Sequence, residues 1–448
     1  YLSIHLLTVD AESGSRYGVY LMKNDKEDPA KMTQLSRFGQ KFARHSGISR
    51  LMQDLNEGIR TPEAVMLGGG NPAHIPEMDS YFHQLLQEMV NNGSLSDAVC
   101  NYDGPQGKDA MLNALAICLK EKLGWNISAK NIALTNGSQS AFFYLFNLLG
   151  GQSAEGKKRK ILFPIAPEYI GYADAGLEED LFVANKPTIE MLPDGQFKYH
   201  VDFEHLTIGD DIGAICVSRP TNPTGNVITD DEVKKLDALA KKHDIPLIID
   251  NAYGVPFPGI IFSQATPHWN DNTILCMSLS KLGLPGARCG IIIANEELIT
   301  AITNVNGIIS LAPGGIGPAM ALEMLKRDDL MRLSQEIIRS FYHQRVLETI
   351  DIIRRYLPKE RCLIHKPEGA IFLWLWFKDL PISSEELYRR LKKRGVLMVP
   401  GHYFFPGLEE SWQHAHQCMR MNYVPEPALI EKGIKILSEE IERCLSPE

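Results

Sequence analysis

The chain has 448 residues, 44% of them hydrophobic and 23% charged, with a formal net charge of -9. That length accommodates two domains around a large shared core. The acidic balance argues against a chain built to hold nucleic acid or an anionic membrane, and no apolar run approaches the roughly 18 residues of a membrane span.

The eight cysteines are scattered, with no CxxC pair. This suits buried thiols in a reducing compartment better than a disulfide framework, so a cytoplasmic location is expected. Residues 1–31 lack sustained periodicity and carry the polar run KNDKEDPAK. They read as a non-native or disordered extension, with the natural start at Met32. Residues 32–75 are expected to form an N-terminal arm and part of a smaller domain, because LGGGNP returns the chain to a cleft.

Across residues 76–330 helical patterns alternate with short apolar strands, the pattern of a mostly parallel α/β sheet. Leu112, Leu115, Leu119 and Leu123 mark one helix face, IALT (132–135) a strand, and NGSQSAFFYLFNLLGG a buried helix. Further strands are expected in ILF, AICVS, PLIID and TILCMS, starting near residues 161, 214, 246 and 273. Thr229 and Glu232 have the spacing of a capping box before DDEVKKLDALAKKHD. Residues 331–448 change texture. A helical pattern over 330–356 leads to FLWLWF, a helix from Ser384 to Arg394, GVLMVPG, CMRMNY and a last helix, which describes a smaller α+β domain.

The polar residues of interest fall where strands stop, as ligand sites in open α/β sheets require. In SLSKLGLPGARCG, Lys281 follows a short apolar strand and Arg288 follows seven residues later. An amine held out of bulk water can lose its proton and form an imine with an aldehyde. Asp250 ends IPLIID, and Tyr253 follows. Together these residues describe a site for pyridoxal 5'-phosphate (PLP), a cofactor that needs a lysine, a carboxylate for its ring nitrogen and an anion cradle. TNGSQSA puts Gly137, Ser138 and Gln139 at a strand-to-helix junction suited to a dianion, with Ser278 and Arg288 able to add donors. Tyr169 in PEYIGY is a candidate ring-stacking aromatic. Asn222 in RPTNPTG and Tyr253 are candidate donors to the ring oxygen, and Arg420 in CMRMNY is a candidate carboxylate clamp.

From about residue 36 to 445 the chain resembles the aspartate-aminotransferase-type superfamily, fold type I of the PLP enzymes. LGGGNP, NYDGPQG, TNGSQSA, PEYIGY, RPTNPTG, IIDNAY, SLSK with GARCG, KPEGAIF, GVLMVPG and MRMNY carry the match. FARHSGISRLMQDLNEGIRTP and NAYGVPFPGIIF narrow it to members acting on valine, alanine and their 2-oxo acids. The resemblance implies a large domain with a mostly parallel seven-stranded sheet flanked by helices, a smaller α+β domain, and a homodimer with sites at the subunit boundary. It implies that Lys281 carries the cofactor, Asp250 pairs with the ring nitrogen, Asn222 and Tyr253 flank the 3'-oxygen, and Tyr169 stacks on the ring. Ser138, Gln139, Ser278 and Arg288 would hold the phosphate, joined by Tyr102 from the neighbouring subunit. Arg420 would bind the substrate carboxylate, with the Gly70 backbone and Asn222 nearby.

Three departures stand out: Arg219 where the family commonly has asparagine, Asn251 where glutamate is frequent, and a Lys281-to-Arg288 interval one residue short. NGIISLAPGGIGPAM (306–320) contains no lysine or arginine, which favours a small apolar substrate side chain over a second carboxylate. The expected reaction is L-valine + pyruvate giving 3-methyl-2-oxobutanoate + L-alanine. The alternatives are another PLP reaction on the same fold, such as a lyase or decarboxylase, or a transaminase of different side-chain preference. A non-enzymatic regulator is disfavoured, because the segment ahead of the fold leaves no room for a helix-turn-helix domain. HAHQC reads as an ordinary strand face rather than a metal site, and KKRK (157–160) as a solvated loop.

Overall fold

The computed structural model describes residues 34–43 and 64–445. The expectations for residues 1–31 and Met32 fall outside them. Within residues 34–43, Arg37–Ala43 form a short helix.

The main sheet of the larger body has the strand order Ile132–Thr135, Gly290–Ile293, Thr273–Ser278, Leu247–Asp250, Ile212–Ser218 and Lys158–Phe163. Phe182–Ala184 adds a parallel seventh strand beside Lys158–Phe163, and the two-residue piece Gly151–Gln152 pairs antiparallel with it. Gly290–Ile293 runs antiparallel to both neighbours, while the strands from Thr273–Ser278 through Ile212–Ser218 to Phe182–Ala184 are parallel. The central strands are completely buried and apolar up to their C-terminal residues Ser218, Asp250 and Ser278, apart from Thr273 at the start of one, as a sheet covered on both faces requires. The covering helices include Asp109–Leu123, which buries Leu112, Leu115 and Leu119, Ser138–Leu149, and Asp230–Lys242.

A second sheet follows the order Val399–Pro400, Cys418–Asn422, Phe372–Trp376, Leu363–His365, Gln196–His200 and Thr188–Leu192. The hairpin Thr188–His200 therefore belongs to a sheet made otherwise from the C-terminal part, although its sequence lies inside residues 76–330. A buried ion pair between Lys198 and Glu368 anchors it. Lys198 Nζ also donates to Asn226 Oδ1 at 3.2 Å and to the Val227 carbonyl at 2.9 Å. This knot fixes the loop that carries Asn222. Val65–Met66 pairs in parallel with Val396–Leu397, bringing the glycine run 68–70 onto the C-terminal sheet.

Two local expectations need correction. Lys158–Lys160 of the KKRK run are the outer part of a strand, because Lys158 reaches Asp180 at 3.2 Å and Lys160 reaches Asp211 at 3.8 Å. His414 and His416 lie in a 3-10 turn, Gln413–His416, rather than on a strand face. There the His414 ring packs at 4.3 Å from Trp376, hydrogen-bonds Tyr199 and lies 3.5 Å from the Cys418 sulfur.

The capping box forms in full: Glu232 N donates to Thr229 Oγ1 at 3.2 Å, and Thr229 N donates to Glu232 Oε2 at 2.7 Å. Thr229→Ala should cost about 1 kcal/mol. Urea unfolding should show a lower midpoint at unchanged slope, and an unchanged midpoint would mean that the cap contributes nothing.

Candidate active site

The C-terminal ends of three adjacent parallel strands set the floor of the site. Asp250 is paired in register with Ser218 on one side and Cys276 on the other, so Asp250 and Ser278 emerge at the same sheet edge. Around them lies a cavity of about 350 Å³. Its walls include Gly70, Ser138, Gln139, Tyr169, Asn222, Asp250, Tyr253, Ser278, Lys281, Arg288 and Arg420. Tyr102 is the sequence-predicted residue left out. It is 85% exposed, outside its own chain's cavity.

Lys281 sits on the 3-10 turn Ser280–Leu282 just past its strand. Its Nζ donates to the Gly70 carbonyl at 2.6 Å and lies 5.2 Å from the centre of the Tyr253 ring. Enclosure by protein, with Arg420 and Arg288 adding repulsion, lowers its pKa from 10.5 to about 8, against the pull of Asp250. Asp250 is buried, accepts a hydrogen bond from the Ala252 N–H at 2.9 Å and another from the Tyr172 hydroxyl at 2.5 Å. Burial raises its pKa while the Tyr172 bond opposes the rise. Tyr172 went unassigned in the sequence although PEYIGY contains it; a fully buried tyrosine is ordinarily core, and only the fold shows its hydroxyl aimed at Asp250. Tyr169 stands edge-on to Tyr172, ring centres 5.3 Å apart. Gly171 makes room for it, since a Cβ there would lie 2.3 Å from the Tyr169 ring.

At the opposite end, Gly137 turns the chain at φ +86° into the helix Ser138–Leu149. A Cβ at Gly137 would meet Arg288 Nη2 at 2.1 Å. The Arg288 guanidinium therefore lies against the helix N-terminus despite the shortened interval, and Arg288 itself takes a left-handed conformation at φ +45°. Free helix-end N–H groups, the hydroxyls of Ser138 and Ser278, and a guanidinium make a donor set for a dianion. Gln139 is turned aside, its amide donating to the Gly171 carbonyl at 2.9 Å.

Arg420 is buried, with its guanidinium carbon 4.2 Å from the centre of the Phe372 ring and 5.0 Å from that of Phe404. Nη1 donates to Asn222 Oδ1 at 2.8 Å and Nη2 to the Gly68 carbonyl at 2.7 Å. Nε is buried without a partner among the described residues. Burial lowers its pKa to about 10, so it stays charged near neutrality. An anchored, partly unsatisfied guanidinium suits a carboxylate. The Gly70 backbone was expected here; Phe372, Phe404 and the carbonyls of Gly68 and Gly69 were not singled out in the sequence.

The departures have structural accounts. Arg219 turns away from the cavity: it donates to the carbonyls of Ile228 and Thr266, each at 2.9 Å, and to Asp230. Asn251 is buried and donates through its amide to the Val255 carbonyl, bracing the loop that follows Asp250.

Residues 86–437 match the family model for aminotransferase class I and II. The chain belongs to this family. It is 74% identical over 409 residues to the valine–pyruvate aminotransferase of Escherichia coli (strain K12), covering 91% of this chain and 98% of that protein. Among solved structures it is similar to the valine–pyruvate aminotransferase of Salmonella typhimurium LT2, with a TM-score of 0.84 and 72% identity over 89% of this chain and 99% of that one. A putative amino-acid aminotransferase from Psychrobacter arcticum 273-4 gives a TM-score of 0.91 at 45% identity, covering 93% and 100% of the two chains. The architecture is that of the fold type I aminotransferases, and enzymes of this class use PLP.

The residues present fit that cofactor: an anion cradle at Gly137 and Arg288, a carboxylate at Asp250 and an amine of lowered pKa between them. Because the amine must be neutral to attack an aldehyde, covalent capture of PLP by the apo-protein should quicken about tenfold per pH unit below 8 and level off above it. Borohydride trapping across pH measures this. A rate that keeps climbing toward pH 10 would contradict the lowered pKa.

Proposed function

We propose that the chain catalyses transamination between L-valine and pyruvate, giving 3-methyl-2-oxobutanoate and L-alanine. The observation carrying this reading is the 74% identity to a valine–pyruvate aminotransferase across 98% of that protein's length.

The chemistry PLP supplies when bound is a carbonyl for the amino group and a ring that accepts electrons from the substrate Cα. Lys281 would be its attachment point, and its Nζ would be the base that takes the proton from the substrate Cα and delivers it to the former carbonyl carbon. Asp250 holds a proton on the ring nitrogen, with Tyr172 orienting the carboxylate. Asn222 and Tyr253 donate to the ring oxygen, and Tyr169 stacks on the ring. Ser138, Ser278 and Arg288 would hold the phosphate with their side chains, and Gln139 would add its helix-end N–H, its side chain being engaged with the Gly171 carbonyl. Arg420 orients the substrate carboxylate, beside the Gly70 backbone and Asn222, so that the Cα–H bond faces Lys281.

The cations lining the cavity are Lys281, Arg288 and Arg420, each with a role already. No further cation among the described lining residues serves a side-chain carboxylate, which supports small apolar amino acids over dicarboxylates. The segment 306–320 does not line this chain's cavity. Its first residues extend the helix Glu296–Ser310, and Ile308 and Leu311 are exposed. Val99 and Tyr102 are exposed as well, and exposed apolar side chains of this size support a homodimer in which Tyr102 reaches the neighbouring subunit's phosphate cradle.

With pyruvate as acceptor, valine should be consumed faster than aspartate or glutamate in an amino-donor profile; a preference for glutamate would overturn the substrate assignment. Lys281→Ala should lose turnover by about 10²- to 10⁴-fold or more. Arg420→Lys should lower kcat/KM by about 10- to 100-fold, chiefly through KM, because a charge-assisted bond worth roughly 1.5–3 kcal/mol is weakened. Ile308→Asp combined with Leu311→Asp should shift the sedimentation of the purified protein toward monomer, and an unchanged dimer would place the interface elsewhere.

A further inference from the structure

Behind the wall that carries Tyr169 lies a carboxyl group with no part in the chemistry above. Glu168 is 1% exposed, and no lysine, arginine or histidine among the described residues forms an ion pair with it. Its Oε1 accepts the Ser218 N–H at 2.8 Å, its Oε2 lies 2.5 Å from the Ser218 hydroxyl, and the Tyr169 N–H is more distant at 3.3 Å. Its own N–H donates to the Phe404 carbonyl at 2.8 Å. Ser218 is paired directly with Asp250 on the neighbouring strand, and adjacent strands lie about 4.8 Å apart. One residue thus touches the backbone of the ring-stacking Tyr169, the neighbour of Asp250, and the loop whose Phe404 ring packs on Arg420.

A carboxylate in that position would be a second buried anion beside Asp250 with no cation to balance it, a costly arrangement. The other titratable groups facing it offer no relief. Tyr172 and Tyr169 lie on its own loop and Cys216 on the Ser218 strand, all three with pKa values raised by burial. Lys281, Arg288 and Arg420 line the cavity, and none of them forms an ion pair with Glu168 or figures among the charges that move its pKa. A neutral acid resolves the conflict: Oε1 accepts from the Ser218 N–H while the proton on Oε2 goes to the Ser218 oxygen, and a separation of 2.5 Å is within the range of an O–H···O bond.

We propose that Glu168 is a positioning residue held as a neutral carboxylic acid, donating its proton to Ser218 Oγ and locking Tyr169, the Asp250 strand end and the Phe404 loop together without adding charge beneath the cofactor ring. The proposal rests on the PLP reading of the cavity and extends it to a group that touches neither cofactor nor substrate. Burial, with repulsion from Asp250 and against the Ser218 bonds, moves the Glu168 pKa up to about 8. Ionisation therefore falls just above neutrality and would place a second negative charge next to Asp250. The sign for stability follows. The folded chain keeps the proton where the unfolded chain has released it, so this group favours folding fully below about 4.5 and loses that contribution as pH rises toward 8.

Infrared spectroscopy of the PLP-loaded holoenzyme tests this directly. At about pH 6 the wild type should show a protonated carboxylic acid C=O stretch that is missing from Glu168→Gln and that titrates away with a midpoint near 8. Ser218→Ala, which removes the acceptor, should shift the band, and this arm stands if Glu168→Gln does not fold. The alkaline step in the visible titration of the bound cofactor should be altered in Glu168→Gln, as a merely structural contact would not require. A wild type without the band, or a band that survives Glu168→Gln or ignores Ser218→Ala, overturns the proposal. Failure of the PLP reading would show separately, as protein that acquires no visible cofactor absorbance.

Discussion

Three positive side chains, Lys281, Arg288 and Arg420, converge on a cavity whose single acidic lining residue is Asp250. Burial lowers the pKa values of both Lys281 and Arg420, and for Lys281 repulsion from Arg420 and Arg288 adds to it. Such a cavity is complete only with anions in it. A phosphate dianion against Arg288 and a carboxylate against Arg420 answer the imbalance, leaving the lysine able to act as an uncharged amine between them. The surplus of positive charge thus links cofactor binding, substrate orientation and the reactivity of the amine.

The fold supports that arrangement by dividing the charges among separately anchored elements. Lys281 and Asp250 come from adjacent parallel strands whose register is set by buried apolar side chains. Arg288 enters from the turn ahead of an antiparallel strand and Arg420 from the second sheet. Lys281 and Arg288 share the connection between two neighbouring strands, while Arg420 reaches the cavity from the other sheet. The bonds of Lys198 and Glu368 to Asn226 and Val227, and the Asn222–Arg420 bond, tie the second sheet to the loop that follows the main-sheet strand Ile212–Ser218. Displacing either sheet would therefore alter cofactor and substrate contacts together.

Carbonyl oxygens of three consecutive glycines meet this positive field. Those of Gly68, Gly69 and Gly70 accept from Arg420, Asn422 and Lys281 respectively. The same carbonyls hold Lys281 and Arg420 in place at the cavity wall.

Much of this was legible in the sequence where chemistry is local. A capping box, an apolar strand ending in aspartate and a glycine turn opening a helix are short-range patterns, and Thr229, Asp250 and Gly137 can be read without knowing what lies opposite. Residues that act through a distant partner were not legible. Tyr172 looks like core until its hydroxyl is seen on Asp250, and Arg219 stands out only as a departure from the family pattern until it is found on Asp230. The hairpin Thr188–His200 carries no mark of joining a sheet made from residues more than 150 positions later. By itself the sequence determined which groups are present and which strand or helix end holds each, because periodicity and turn chemistry act over a few residues. Only the tertiary structure decided which charges face one another and which carboxyls are buried, because desolvation and Coulomb energy depend on neighbours that chain order does not reveal.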